Sequence, residues 1–378
     1  MTQHNLIIHP CTLRTMTDQI LERLLGRLAS RGLDGFIHFQ TNKARENVVL
    51  QYLSGVQGLE DSGIVVPLRS EPVLLVKDFE WERAEKTGKI SDVRSATTLP
   101  LEAAMRRLEE VIEEKKLVGK KLAIDDSELS VEVYLKLSKM GVQLVPFSDQ
   151  IRALRMIKTK DELDKIRKAV KLAAQSLNAI KKKLNEQLTE SNLCAIASLE
   201  MESNGAEKSF VHVQYEKNAS IPHHISGSTK VVPHGILVVD LGARVEGYNS
   251  DITRTFVVGQ PDREHLDILT TVRESVTAAF EATKPGDRLE TIARAARNII
   301  KMKGYPQPKH RIGHGVGLNV HESPIVEEGF PGTVEEGMVL AVEPGVYIEG
   351  KTGCRIETNL LVTSKGAEML DEPHIPLD

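Results

Sequence analysis

Five side chains able to bind a metal ion occur in order along the C-terminal part of the chain, each in a segment punctuated by Gly, Pro or Arg. They are Asp240, Asp251, His314, Glu343 and Glu357. If they act together, the fold must bring separate segments of the chain to one place. Carboxylates and one imidazole, with no thiolate, favour manganese, cobalt, iron or zinc over soft-metal or iron–sulfur sites. A paired site of this kind suggests hydrolysis by a bridging hydroxide.

Length and charge narrow the class of protein. A chain of 378 residues can bury two full-sized cores, so two domains are expected. The net charge is only −4, and no basic stretch is interleaved with aromatic residues, which argues against a nucleic-acid partner. The N-terminus lacks the pattern of a signal peptide, and no apolar run approaches membrane-spanning length. We therefore predict a cytoplasmic protein without a membrane contact.

The spacing of the three cysteines also favours the cytoplasm. Cys11, Cys194 and Cys354 are far apart in sequence, which excludes a disulfide framework and a CxxC metal or redox motif. Unpaired thiols in a reducing compartment are the simpler interpretation.

The chain is predicted to begin with an α/β domain. Residues 17–31 place four leucines on one helical face, and Gly32 follows where a C-terminal cap would lie. Strand-like runs and helical segments then alternate as far as the run VQLVPF. The segment DQIRALRMIKTKD is charged and short of apolar periodicity, so we place a domain boundary near residue 155.

The second domain, residues 156–378, is predicted to be α+β, following an α/β domain of residues 1–155. Its four expected helices cover about residues 161–184, 189–204, 262–283 and 288–303. The extended segments between and after these helices carry the candidate ligands.

Asp240 and Asp251 are predicted to share one face of a hairpin. Two β-rich runs flank Glu246-Gly247, a plausible tight turn, and the two aspartates are an odd number of positions apart. Residues paired across a hairpin with a two-residue loop differ by an odd number, so both side chains point the same way. Two carboxylates on an apolar sheet repel unless a cation or a shared proton lies between them. For this segment in isolation, two solvated hairpin carboxylates would be the preferred interpretation.

The other three ligand candidates lie in GHGVGLNVHE, MVLAVE and CRIETNLLV. The glycines around His314 would let backbone or substrate approach the imidazole, and the run lacks the Lys-Ser/Thr of a P-loop. Glu343 ends an apolar strand. Arg355 is expected on the same face as Glu357, where a buried guanidinium can orient a carboxylate without competing for metal.

Five motifs resemble the signatures of the creatinase/aminopeptidase "pita-bread" superfamily, in the family's order. They are PHH (222–224), VVDLGARVEGYNSDITRTF (238–256), GHGVGLNVHE (313–322), AVEPGVY (341–347) and RIETNLLVT (355–363). The resemblance covers residues 155–378. In the first domain, YLSGVQG (52–58) resembles the family's usual segment. The expected architecture is a creatinase-like α/β domain followed by a pita-bread metallopeptidase domain.

The resemblance implies a role for each position. Asp251 and Glu357 would bridge two metal ions, Asp240 would bind one of them, and His314 and Glu343 would complete the second. Glu343 also matches the family's proton-transfer position, where it would accept a proton from water and deliver it to the leaving nitrogen. In addition, His223 and His321 match two family histidines that contact the substrate and stabilise the tetrahedral intermediate.

The activity implied is dinuclear metal-dependent hydrolysis of the Xaa-Pro bond in short peptides. Xaa-Pro peptidases of this family carry a first domain of about this size, and methionine aminopeptidases generally lack one. Among the Xaa-Pro peptidases, dipeptides (prolidase activity) are the first choice because of the overall length and the compact two-domain layout. Alternatives are an Xaa-Pro aminopeptidase acting on longer peptides, or a lyase-type enzyme on the same scaffold. Creatinase-type and non-catalytic relatives have lost ligands that this chain retains. Manganese or cobalt is the favoured metal, zinc or iron are alternatives, and the resemblance implies a homodimer.

Overall fold

The leucine spacing of the first amphipathic segment forms a helix in a computed structural model, which describes residues 18–41, 47–95 and 101–371. Helix α1 covers Gln19–Ser30. The Asp18 side chain caps it by accepting from the backbone N–H of Ile20, while Leu24 and Leu28 are buried. Gly32, in the left-handed region with φ 64°, follows its end as predicted.

A six-stranded sheet organises the first unit, which extends to Leu154. Its strands are β1 Gly35–Gln40, β2 Ser62–Pro67, β3 Val73–Val76, β4 Asp92–Ser95, β5 Lys121–Ile124 and β6 Gln143–Pro146. Their order is β4-β3-β2-β1-β5-β6, with β1–β2 and β2–β3 antiparallel and the other pairs parallel. The further helices are α2 Val48–Ser54, α3 Trp81–Thr87, α4 Leu101–Glu114, α5 Val131–Leu137 and α6 Ser148–Met156. The predicted α/β alternation is confirmed.

Four long helices belong to the second unit, which begins at Arg155. They are α7 Lys160–Lys181, α8 Glu190–Ser203, α9 Arg263–Ala282 and α10 Leu289–Met302. Capping boxes at Thr159 and Thr189 start the first two, each with the threonine hydroxyl accepting from a backbone N–H three residues later. All four helices were predicted to within a few residues.

Three sheets complete the second unit. The strands are β7 Lys208–Tyr215, β8 Ile236–Val245, β9 Tyr248–Asn249, β10 Ile252–Val257, β11 Gly313–Gly315, β12 Glu322–Val326, β13 Val339–Val342, β14 Gly345–Ile348, β15 Thr352–Arg355, β16 Thr358–Thr363 and β17 Gly366–Met369. One sheet has the order β10-β8-β7 with β9 paired to β8, another has β12-β11-β13-β16-β17, and β14 pairs with β15. Helices α7 and α8 pack on the first of these sheets, and α10 packs on the second.

The charged segment DQIRALRMIKTKD, to which the sequence analysis assigned no secondary structure, is largely helical. Helix α6 covers most of it, and Ile151 and Leu154 are its buried apolar residues. Two apolar side chains over nine residues are enough to attach a short helix but too few to produce a clear period.

Two further sequence predictions concern the cysteines and membrane contact. Cys194 and Cys354 are free thiols, whereas Cys11 lies outside the described residues. Among the described ranges, no helix has the length and hydropathy needed to cross a membrane.

Candidate metal centre

Asp240 and Asp251 lie on one hairpin, on the same face. The turn Glu246-Gly247 has positive φ at both residues, 47° and 83°, as a two-residue type I′ turn requires. Asp240 in β8 is opposite Thr253 in β10, and Asp251 lies two residues before Thr253. The two carboxylates are therefore diagonal neighbours on one face. The face and the turn predicted from the sequence are confirmed.

His314, Glu343 and Glu357 come from the five-stranded sheet. His314 is the middle residue of β11, which lies between β12 and β13, and Glu343 directly follows β13. Glu357 directly precedes β16 and exchanges two backbone hydrogen bonds with Thr253, of 3.0 and 3.3 Å. This bridge attaches the hairpin to the five-stranded sheet and brings both groups of ligand candidates together.

The glycines around His314 admit neighbouring strands. A Cβ atom on Gly313 would lie 2.2 Å from the carbonyl oxygen of Ala341, and one on Gly315 would lie 2.2 Å from that of Ser323. Both contacts are with backbone, which cannot give way easily. The predicted close backbone approach is therefore correct, but these two glycines serve strand packing rather than substrate access.

The imidazole of His314 lies among three carboxylates. Its Nε2 atom is 3.6 Å from Asp251 Oδ2, 3.6 Å from Glu343 Oε1 and 3.7 Å from Glu357 Oε1. Carboxylate oxygens of Asp240, Asp251 and Glu357 also lie within 4.8 Å of one another. The structure thus brings together all five side chains singled out in the sequence.

Several atoms of this cluster lack an ordinary hydrogen-bond partner. Within the described part of the chain, buried atoms with no partner include Asp240 Oδ1, His314 Nε2 and Glu357 Oε1. His314 Nδ1 is 3.0 Å from the carbonyl oxygen of Gly315, so this nitrogen carries the proton and donates. The lone pair of Nε2 is thereby directed at the carboxylates, the geometry of a histidine that ligates a metal through Nε2.

Burial dominates the electrostatics of the cluster. It raises the pKa of Asp251 and that of Glu357 well above their ordinary values, and the neighbouring carboxylates add to both shifts while Arg355 opposes them. Burial also raises the pKa of Glu343 to about 7. The pKa of His314 falls to about 3, again chiefly through burial. The carboxylates thus require added positive charge to ionise together, while the imidazole stays neutral and can ligate.

Arg355 supports the cluster at a different point from the one expected. Its Nη2 donates to Asp240 Oδ2 at 2.7 Å, and its Nε donates to Thr253 Oγ1 at 3.2 Å. Thr253 Oγ1 in turn donates to Glu357 Oε2 at 2.8 Å. The guanidinium therefore reaches Glu357 only through Thr253, a link that the sequence reasoning missed.

His321 lies at the edge of the cluster. Its Nε2 is 3.6 Å from Asp251 Oδ2, and its ring centroid is 4.1 Å from that of His314. With Asp251 and His314 it forms a third group of side chains close enough to hold an ion. Its side chain is 62% exposed in this chain, so it can also meet a substrate.

The adjacent histidines 223 and 224 have different environments. His224 Nε2 lies 3.4 Å from a carboxylate oxygen of Glu190, which is fully buried. His223 is exposed, and the pKa values of His310 and His321 are lowered chiefly by burial, with a smaller contribution from the charge of His223. The substrate-contacting role assigned to His223 from the sequence stays a prediction.

Two neighbours of the cluster were not singled out from the sequence. His310 Nδ1 lies 3.7 Å from Glu343 Oε2, and its Nε2 is 2.8 Å from the hydroxyl of Tyr347, which also accepts from Arg355 at 3.1 Å. Burial lowers the pKa of His310 to about 4. His310 precedes His314 by four positions and Tyr347 ends the AVEPGVY motif, so proximity to a ligand was the available signal.

The residues of the cluster fit divalent cations. A divalent cation would partner the orphaned Asp240 Oδ1, His314 Nε2 and Glu357 Oε1 atoms and would offset the repulsion between the carboxylates. Oxygen and imidazole nitrogen are the donors that such ions prefer.

Comparison with known proteins identifies both parts of the chain. Residues 20–157 match the model of the creatinase/prolidase N-terminal domain, and residues 164–364 match that of metallopeptidase family M24. The predicted order, a creatinase-like domain followed by a metallopeptidase domain, is confirmed.

Similar proteins include enzymes from several organisms. The chain is 34% identical over 326 residues to an Xaa-Pro dipeptidase of Pyrococcus furiosus, covering 85% of this chain and 90% of that protein. The solved structure of a Pyrococcus horikoshii prolidase matches with a TM-score of 0.83 at 30% identity, covering 96% of this chain and 100% of that one. The structure of an X-Pro aminopeptidase from Thermotoga maritima matches with a TM-score of 0.84 at 26% identity, covering 95% and 98%. Because the family model spans more than half of the chain and the dipeptidase matches along most of it, this protein is a metallopeptidase and belongs to family M24.

Proposed function

We propose that this enzyme hydrolyses the peptide bond before proline in short peptides, with dipeptides as its main substrates, and that it does so with two divalent cations. The observation that carries the proposal is the arrangement of the ligand candidates in two overlapping groups. Asp240, Asp251 and Glu357 form one group, His314, Glu343 and Glu357 form the other, and Glu357 belongs to both.

Two ions sharing ligands would fit this overlap. Asp251 lies 3.6 Å from His314 Nε2 as well as within the first group, so it too can serve both ions. We therefore assign Asp251 and Glu357 as shared ligands, Asp240 to one ion, and His314 and Glu343 to the other. When bound, the ions would supply positive charge that allows the carboxylates to ionise and that lowers the pKa of a water molecule.

Glu343 is the proposed proton carrier. Its Oε1 lies 3.6 Å from His314 Nε2, so the carboxylate is placed to take a proton from water at the proposed ions and to give it up again. It would deliver that proton to the leaving nitrogen of the proline. His321, exposed at the edge of the cluster, and the exposed His223 would donate hydrogen bonds to the oxygen on which negative charge develops.

The substrate is inferred from the relatives and from the chemistry of the bond. The bond before proline is a tertiary amide without an N–H, so an enzyme that relies on that hydrogen for recognition cannot use it. The Pyrococcus proteins that resemble this chain are an Xaa-Pro dipeptidase and a prolidase. The X-Pro aminopeptidase structure matches about as well, which keeps action on longer peptides as the second candidate.

Manganese and cobalt are the proposed cations, with zinc or iron as alternatives, because the donors are carboxylates and imidazole without thiolate. The homodimer and the cytoplasmic location stay predictions.

Hydrolysis assays on protein stripped with chelator and reloaded separately with manganese, cobalt or zinc test the proposal. Met-Pro and Ala-Pro report dipeptidase activity, and Ala-Pro-Ala reports aminopeptidase activity. Cleavage of the dipeptides alone would support the main proposal, whereas cleavage of the tripeptide would favour the second candidate. Uptake of metal without cleavage of any of them would refute both and favour a lyase-type reaction.

Three substitutions test the assignment of roles. Asp251→Asn and Glu357→Gln should each remove metal and activity while the fold persists, because both residues are proposed to serve two ions. Elemental analysis showing full metal content together with normal turnover in either variant would contradict the assignment. Glu343→Gln should reduce kcat far more than it weakens peptide binding, and unchanged kinetics would remove Glu343 from the mechanism.

A further inference from the structure

A buried ion pair lies behind the cluster, outside the proposed ligands. It joins Arg254, which follows Thr253 in β10, to Asp371, which follows the last strand. Their side chains are only 2% and 0% exposed. An ion pair buried to this extent is tolerated only when both charged groups make their full set of hydrogen bonds.

The donors to Asp371 come from the strands that carry ligand candidates. Its Oδ2 accepts from Arg254 Nη2. Its Oδ1 accepts from Thr358 Oγ1 at 2.9 Å and from the backbone N–H of Asn359 at 3.1 Å. One carboxylate thus ties β10 to the start of β16.

The partners of Asp371 hold the backbone of both proposed shared ligands. Arg254 Nη1 donates to the carbonyl oxygen of Glu357 at 2.7 Å. Asn359 Nδ2 donates to the carbonyl oxygen of Asp251 at 2.7 Å, and the N–H of Asp251 donates to Asn359 Oδ1 at 3.2 Å. Through these two residues, Asp371 fixes the main chain at Asp251 and at Glu357.

We propose that Asp371 is a positioning residue of the metal centre, which sets the separation of Asp251 and Glu357 through Arg254 and Asn359. The inference rests on the proposed function, because it presumes that those two residues share the cations. Metal ligands must be held to within a fraction of an ångström, and substitution of residues that support ligands lowers metal affinity about 10–100-fold. A carboxylate that anchors both ligand strands belongs to this class although it touches neither ligand side chain directly.

The test compares Asp371→Asn with Glu368→Gln, measured on the full chain after chelator treatment. Glu368 lies on β17 and pairs with Arg167, but those two side chains are 47% and 41% exposed, so this control also removes one ionised carboxylate at the end of the chain. Titration calorimetry with Co²⁺ gives affinity and stoichiometry, and the visible absorption of the Co²⁺-loaded protein reports ligand geometry. We expect Asp371→Asn to bind Co²⁺ about tenfold more weakly, with an altered spectrum, and Glu368→Gln to match the wild type.

The possible outcomes separate the inference from the proposed function. If Asp371→Asn lowers the unfolding midpoint but keeps wild-type affinity and spectrum, the pair is merely structural and the inference is wrong. If Asp371→Asn does not fold, Thr358→Val replaces it in the test, because this substitution removes one hydrogen bond to Asp371 and keeps the ion pair with Arg254. Wild-type Co²⁺ affinity and a wild-type spectrum in Thr358→Val would equally refute the inference. A wild-type protein that takes up none of Mn²⁺, Co²⁺, Zn²⁺ and Fe²⁺ would refute the proposed function itself, and this inference with it.

Discussion

Replacing Thr253 by valine should weaken metal binding without disturbing the fold. The Thr253 hydroxyl, fully buried, donates to Glu357 at 2.8 Å and accepts from the Arg355 Nε at 3.2 Å. Valine has nearly the same shape and suits a β-strand, so the substitution removes two hydrogen bonds and little packing. The Glu357 carboxylate would then be free to rotate, and Arg355 would lose one acceptor.

The magnitude follows from the partners involved. A hydrogen bond to a charged group contributes about 1.5–3 kcal/mol. Bound cations would still hold Glu357, and Arg355 would retain acceptors in Asp240, the carbonyl oxygen of Pro222 and Tyr347. We therefore expect the lower half of the 10–100-fold loss of metal affinity typical of such positions, a range that corresponds to about 1.4–2.8 kcal/mol.

Titration calorimetry with Co²⁺ measures this loss, and two other threonine variants serve as controls. Thr253→Ser keeps the hydroxyl and should retain most of the affinity. Thr283→Val removes a buried hydroxyl that donates to the carbonyl oxygen of Ala279 at 2.8 Å in another part of the domain, and it should bind metal normally. If Thr253→Val binds Co²⁺ as tightly as the wild type, the hydroxyl does not orient Glu357 and the reasoning fails.

Two further predictions concern the histidines and the pH dependence of stability. His223→Ala should lower kcat while the protein retains its metal. His224→Ala should leave kcat unchanged and lower the free energy of unfolding by about 1 kcal/mol, because it removes the contact with Glu190. Identical effects of the two substitutions would refute this division of roles. In metal-free protein, the pKa of Glu343 rises from 4.5 unfolded to about 7 folded, so the stability that it contributes is complete below pH 4.5 and is lost as the pH rises through 7. Urea titrations give the free energy of unfolding of the wild type and of Glu343→Gln, and the difference between the two should fall by roughly 3 kcal/mol between pH 4.5 and 7. His314 contributes the opposite trend, but this contribution is common to both proteins and cancels in the difference. A difference that does not change with pH would contradict the buried environment of Glu343.

The part of the site that follows from local geometry was predictable from the sequence. The face shared by Asp240 and Asp251 depends only on the parity of their separation and on the two-residue turn, and both are properties of one continuous segment. Helix α7 was likewise predictable, because it carries its own apolar periodicity and a capping box at Thr159.

Contacts between distant segments were not predictable in the same way. Arg355 is two positions from Glu357, and strand alternation placed the two side chains together, yet the guanidinium donates to Asp240 more than a hundred residues earlier. Nothing local distinguishes these partners, since both are carboxylates on neighbouring strands. The roles of His310 and Tyr347 depend in the same way on how β13 and β14 follow one another around Glu343.

Charge balance in the cluster gives an independent argument for two ions rather than one. Asp240, Asp251, Glu343 and Glu357, when ionised, face a single fully buried guanidinium, that of Arg355, which leaves three negative charges. One divalent cation would leave a net charge of −1 in a site where burial disfavours ionised carboxylates. A site with that net charge would not attract a further anion. Two divalent cations would leave a net charge of +1, which one ionised water molecule or the carboxylate of a dipeptide could neutralise. The second ion would therefore favour the proposed generation of a nucleophile from water, and the position of Glu357 in both groups of ligand candidates supports that proposal.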